Sequence, residues 1–96
     1  EFRRVLFRSG IITVVGKDQV GIIEKVCTYL AENDINILDI SQTIVQGYFN
    51  MMMIVNHDAS SKAFNDLADE LAALGKEIGV DIKIQHEEIF NMMHRL

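Results

Sequence analysis

The spacing of apolar residues switches between strand-like and helix-like in a fixed order, and that order constrains this fold more than any other feature of the sequence. Ile11-Ile12-Thr13-Val14-Val15 is β-branched and nearly continuous, which predicts a central strand covered on most of both faces. Roughly over 20–32, Ile22, Ile23, Val26, Cys27 and Leu30 recur at helical spacing, and Asn33-Asp34 ends the run. Residues 35–45, INILDISQTIV, form a second strand whose alternation slips near Asp39-Ile40, the mark of a bulge. Gln46-Gly47 predicts a hairpin into a third strand, YFNMMMIVN, with Phe49, Met51, Met53 and Val55 on one face. Ser60 or Ser61 can cap a second helix, in which Phe64, Leu67, Leu71, Leu74 and Ile78 repeat by three and four, and Gly79 stops it. Val80, Ile82 and Ile84 then alternate with polar residues as a fourth strand, and EEIFNMMHRL predicts a short helical tail.

The order β-α-β-β-α-β predicts an α+β fold, a ferredoxin-like sandwich. It has a four-stranded antiparallel sheet in the order 4-1-3-2, with two helices on one face. The other face is left bare, carrying Ile11, Val15, Met52 and Ile54, and a bare apolar face most simply meets a second copy of itself. A homodimer is the expected assembly. Ninety-six residues make one domain, and no apolar run approaches the ~18 residues of a membrane helix. A net charge of −5 disfavours nucleic acid as a partner, and membrane is not expected either. The single Cys27 excludes an internal disulfide and agrees with a reducing, cytoplasmic setting.

The first nine residues, EFRRVLFRS, stand apart and hold three of the nine basic residues. The string matches the translation of a common sequencing adapter, so residues 1–9 are read as a non-native leader, and 10–96 as the domain with its tail. Without the leader six bases face thirteen acids, a net charge of −7.

The first turn, GKDQVG (16–21), separates strand from helix. It lacks the CxxC with which soft thiolates hold copper(I), and the arginine cradle of acylphosphatase-like enzymes. The first strand lacks the stacking aromatics of RNA-binding sheets. Taken with the strand IITVVG, the turn and helix start GKDQVGII and the return strand NINILDISQ, residues 10–86 resemble the ACT domains, small regulatory βαββαβ modules. The likeness is nearest to short stand-alone bacterial ACT proteins. The resemblance implies an amino acid or similar metabolite bound between the first turn and the second strand, often at a subunit interface. Asp18, Gly21 and Asn36 match the contact positions, with Gln19, Val20 and Ile22 beside them. Helix-start amides attract a carboxylate, Gly21 admits the ligand to the backbone, Asp18 accepts from an ammonium, and Asn36 donates and accepts.

Each residue also has a structural reading. Asp18 can cap the first helix, Gly21 can serve helix–sheet packing, and Asn36 can satisfy neighbouring backbone. The sequence also departs from the family pattern, with Val20 where many members have proline and Gly16 where others have a polar residue. Alternation puts Met51 and Met53 in the core and Met52 on the open face, and Cys27 packs as a small hydrophobe. His57, His86 and His94 lack metal-ligand spacing, and no Walker loop, GxSxG or dinucleotide fingerprint appears. No cofactor, metal or catalytic residue is expected. The two functions that remain are an amino-acid-sensing regulatory module, and a ligand-independent regulator subunit pairing with another protein, similar to the glycine-cleavage repressor.

Overall fold

A computed structural model describes residues 9–86, and six elements follow in the expected order. They are β1 (Ser9–Lys17), α1 (Ile22–Glu32), β2 (Asn36–Val45), β3 (Tyr48–Asn56), α2 (Phe64–Ile78) and β4 (Val80–His86). The strands lie in the order β2-β3-β1-β4, which is 4-1-3-2 read from the other edge. Every neighbouring pair is antiparallel. The helical tail predicted after His86 lies outside the described residues, as do 1–8 of the leader. Ser9 already pairs with Asn56 in β1.

One face of the sheet packs on both helices. Ile12 and Val14 of β1, Phe49, Met51, Met53 and Val55 of β3, and Val80, Ile82 and Ile84 of β4 form one cluster with Val26, Leu30, Leu67 and Leu71. Full burial of each large aliphatic side chain contributes about 1.5–3 kcal/mol, so this layer dominates the stability of the domain. Gly75 lets α2 lie directly on β4, because a Cβ there would stand 2.5 Å from the Val80 carbonyl oxygen.

The turns carry the positive backbone angles. Gln46 (φ 52°) and Gly47 (φ 82°) make a tight hairpin of the primed kind, which matches strand twist. Gly79 (φ 84°) closes α2, donating its N–H to Gly75 O at 2.8 Å. The slip in β2 is a bulge between Ile37 and Asp39, one residue earlier than the sequence suggests. Two helix starts differ from expectation. Gly21, not Asp18, occupies the cap position of α1, and Ala63, not Ser60 or Ser61, that of α2; neither has a side-chain cap. Ser60 Oγ instead accepts from the Lys62 N–H within the preceding loop.

β1 is central, but its outer face is covered only in part. Ile11 is 4% exposed, whereas Val15 on the same face is 46% exposed. His57, read from the sequence as part of a polar break, is buried. It sits 5.7 Å from the ring of Phe64, which stacks on His86 at 3.8 Å.

Candidate functional site

The first turn is held at three points. Asp18 donates its N–H to Gly47 O (2.8 Å), tying the turn to the hairpin tip. Gln19 Nε2 donates to Ile78 O (2.7 Å), closing the C-terminal end of α2. Gly21 O accepts from the Lys25 N–H (3.0 Å), the first helical bond of α1. The side chain of Val20 projects fully into solvent.

Gly21 makes the helix start open. At φ 94° it adopts a left-handed conformation that most side chains resist, and the nearest atom to a Cβ there is Lys25 Cε at 3.9 Å. No side chain caps α1. The first four N–H groups of a helix have no intrahelical partner, so this end presents donors and the positive end of the helix dipole. Beside it lies a cavity of about 170 Å³, lined by Gln19, Val20, Gly21, Ile22, Lys25, Glu77 and Ile78. That is below the ~300 Å³ of typical drug-sized sites, so it suits only a small ligand. Lys25 and Glu77 place charges of opposite sign on the cavity wall, and Asp18 is exposed in the turn.

The structure therefore gathers Gln19, Val20, Gly21 and Ile22 around one cavity, whereas Asp18 is not among the residues that line it. It does not bring Asn36 there. Asn36 pairs with Asn56, and Asn56 with Ser9, whereas the turn leaves the sheet after Lys17. Eight residues of strand at ~3.3 Å each put Asn36 roughly 26 Å from the turn within one chain. Strand direction dictates this. β1 and β2 run parallel across the intervening α1, so the end of one and the start of the other lie at opposite ends of the sheet along the strand direction.

β2 is an edge strand, and nearly all of it is exposed. Ile40 and Ile44 point toward the helix side yet remain 45% and 57% exposed. The strand has no lysine or proline, the usual protection of a free edge. Sequence reasoning missed the bonds of the turn to Gly47 and Ile78. The Gln19–Ile78 contact spans 59 positions and leaves no local signal. Among the described residues, no group of three or more His, Cys, Asp or Glu is placed to hold a metal, and no helix is long and apolar enough to cross a membrane.

A family model described as ACT domain matches residues 10–85. A UPF0237 protein of Bifidobacterium longum is 58% identical over 88 residues, covering 92% of this chain and 98% of that protein. An ACT domain protein from Streptococcus pneumoniae superimposes with a TM-score of 0.78 at 44% identity, covering 88% of this chain and 94% of that one. The ligand-free regulatory subunit of aspartate kinase from Thermus thermophilus gives a TM-score of 0.63 at 26% identity, over 82% of this chain and 51% of that subunit.

Proposed function

The chain belongs to the ACT domain family, and on that premise we propose that it is a regulatory module that binds a small amino acid where two copies meet and passes that state to a partner protein. The observation that carries the reading is the uncapped start of α1 at Gly21, beside a small cavity walled by Lys25 and Glu77. A ligand carboxylate sits against those donors. Asp18, on the same turn, accepts from the ligand ammonium.

Asn36 enters from the second copy. Pairing two β2 edges antiparallel about a two-fold axis sets the start of one β2 beside the end of the other. That end leads into Gly47, to which Asp18 is bonded. The 26 Å separation within one chain becomes proximity across the interface, and the exposed backbone of two free edges is satisfied in the same step.

Calorimetric titration of the common amino acids is the direct test. Heat is expected with at least one small amino acid. Asn36→Ala should weaken that binding about tenfold or more, as loss of a hydrogen bond to a charged group does. Mixing equal amounts of Asn36→Ala and Asp18→Ala copies should restore binding at about a quarter of all sites, because about half of the dimers are mixed and each mixed dimer has one of its two sites free of both changes. A folded, associated protein that gives no heat with any amino acid overturns the sensing claim. Failure of the mixture to recover overturns the shared site.

A further inference from the structure

We propose that the groove between α1 and α2 is a docking site for a basic amphipathic helix of a second protein. It rests on the regulatory reading only for its purpose, as the surface through which a partner engages; the contact itself needs no amino acid.

The placement of charge singles out this side of the molecule. Residues 9–86 contain eleven acids and five lysines, a balance of −6. By strand register, four of these charges belong to the bare sheet face: Lys17, Asp39, Asp81 and Lys83. They cancel, so the whole −6 is carried by the helices and loops. α2 alone holds Asp66, Asp69, Glu70 and Glu77 against Lys76. Such a layer attracts a cationic partner and repels nucleic acid and anionic lipid.

A groove on that layer gives the charge a shape. It is a hollow of about 560 Å³ bounded by Glu24, Lys25, Thr28 and Glu32 of α1 and by Glu77 of α2. Tyr29 and Leu74, both partly buried against the core, supply its apolar surface. Tyr29 is fixed there by its bond to Glu70 at 2.7 Å, and the Glu70 carboxylate is also answered by Lys62 at 2.7 Å. Among the described residues, Glu24, Glu32 and Glu77 enter no ion pair. The groove thus presents unanswered carboxylates beside two apolar side chains.

Their spacing selects a helix. Glu24 and Glu32 stand eight positions apart on α1, about 12 Å along its axis. Lysines or arginines two turns apart on a helix laid along α1 span the same distance, and the apolar residues between them meet Tyr29 and Leu74. Exposed ion pairs add little by themselves, so the apolar contact supplies affinity and the carboxylates supply orientation. Lys25 and Glu77 also line the first-turn cavity. A cation drawn to Glu77 therefore alters the charge on the cavity wall, which joins the two sites.

The probe is a labelled peptide of about 18 residues, built of leucine, lysine and alanine with its leucines in one helical stripe. Fluorescence anisotropy reads its binding to the whole chain, with no amino acid present. A peptide of the same composition with the stripe scrambled is the control. The striped peptide should bind about tenfold more tightly than the scrambled one. Glu24→Lys and Glu32→Lys should each weaken it about fivefold, and Leu74→Ser at least as much, with circular dichroism unchanged. The two charge reversals lie at exposed positions and guard against Leu74→Ser failing to fold. Asp81→Lys, the same change of charge on the sheet face, should stay within about twofold of wild type. Amide shifts in NMR should centre on Thr28 and Leu74. Absence of binding, equal binding of the two peptides, or groove variants that bind like wild type overturn the proposal. So does an equal loss with Asp81→Lys, which is attraction to overall charge alone. Amino-acid titration is untouched by any of these results, so the two readings fail separately.

Discussion

At single positions, opposing effects decide the sign. Gly75 lies inside α2, where alanine is the better helix former by about 1 kcal/mol. A Cβ there would stand 2.5 Å from Val80 O and 3.2 Å from Ile82 N, and backbone cannot turn aside as a flexible side chain can. The clash wins, so Gly75→Ala should destabilise the domain by about 1–3 kcal/mol, read from chemical denaturation. Equal or greater stability would show that α2 can lift from β4 without cost. Gly21 presents the opposite situation. It has open space for a Cβ but an unfavourable φ of 94°, so its cost is conformational and its spare volume is left for a ligand.

Between elements, α1 and α2 are joined by a polar link at the protein surface. Tyr29 Oη donates to Glu70 Oε1 at 2.7 Å, and Lys62 Nζ donates to the same oxygen at 2.7 Å. Burial, then the hydrogen bond to Glu70 and that carboxylate's charge, push the Tyr29 hydroxyl well above the ordinary tyrosine range. Lys62, then Tyr29, hold the exposed Glu70 carboxyl below its usual value. The signs follow from proton linkage. A raised tyrosine pKa contributes stability that is complete below about pH 10 and is lost as pH rises beyond it. A lowered carboxylate pKa contributes stability lost on acidification below about pH 4.5. Tyr29→Phe should therefore be less stable at neutral pH and should lose less stability than wild type between pH 9 and 11. Parallel pH curves for the two proteins would deny the link any role. Tyr29 is also an instance of what the sequence conceals, since its partner lies 41 positions away. What the sequence made legible were the elements themselves. The alternation of β3, the stripe of α2 and the stop at Gly79 each follow from nearest-neighbour periodicity. The caps were not legible. Asp18 and Ser60 are good capping types, but chain direction at Gly21 and Ala63 set the helix starts. The burial of His57 was equally hidden, because it depends on Phe64 and His86 arriving from α2 and β4. The gap between Asn36 and the first turn was implicit in the β-α-β order, although residue matching alone sets the two side by side.

For the whole molecule, asymmetry governs assembly: one side is neutral sheet, and the other carries the net negative charge. The proposed pairing through β2 and stacking through the bare face would use different surfaces, and together they would close a four-copy assembly about two-fold axes. In that assembly the helix layers all face outward, separated by two sheets packed ~10 Å apart. Their mutual repulsion is long-range and opposes association most when salt is low. The Debye length falls from ~30 Å at 0.01 M to ~8 Å at 0.15 M, which is shorter than the distance between the helix layers. Added salt therefore removes the repulsion while leaving burial of Val15 and Met52 untouched. Association measured by sedimentation should tighten by several-fold over that range. An interface built on charge pairs between the helix faces of two copies would respond in the opposite sense. Association that weakens with salt would move the contact off the sheet and onto α1 and α2.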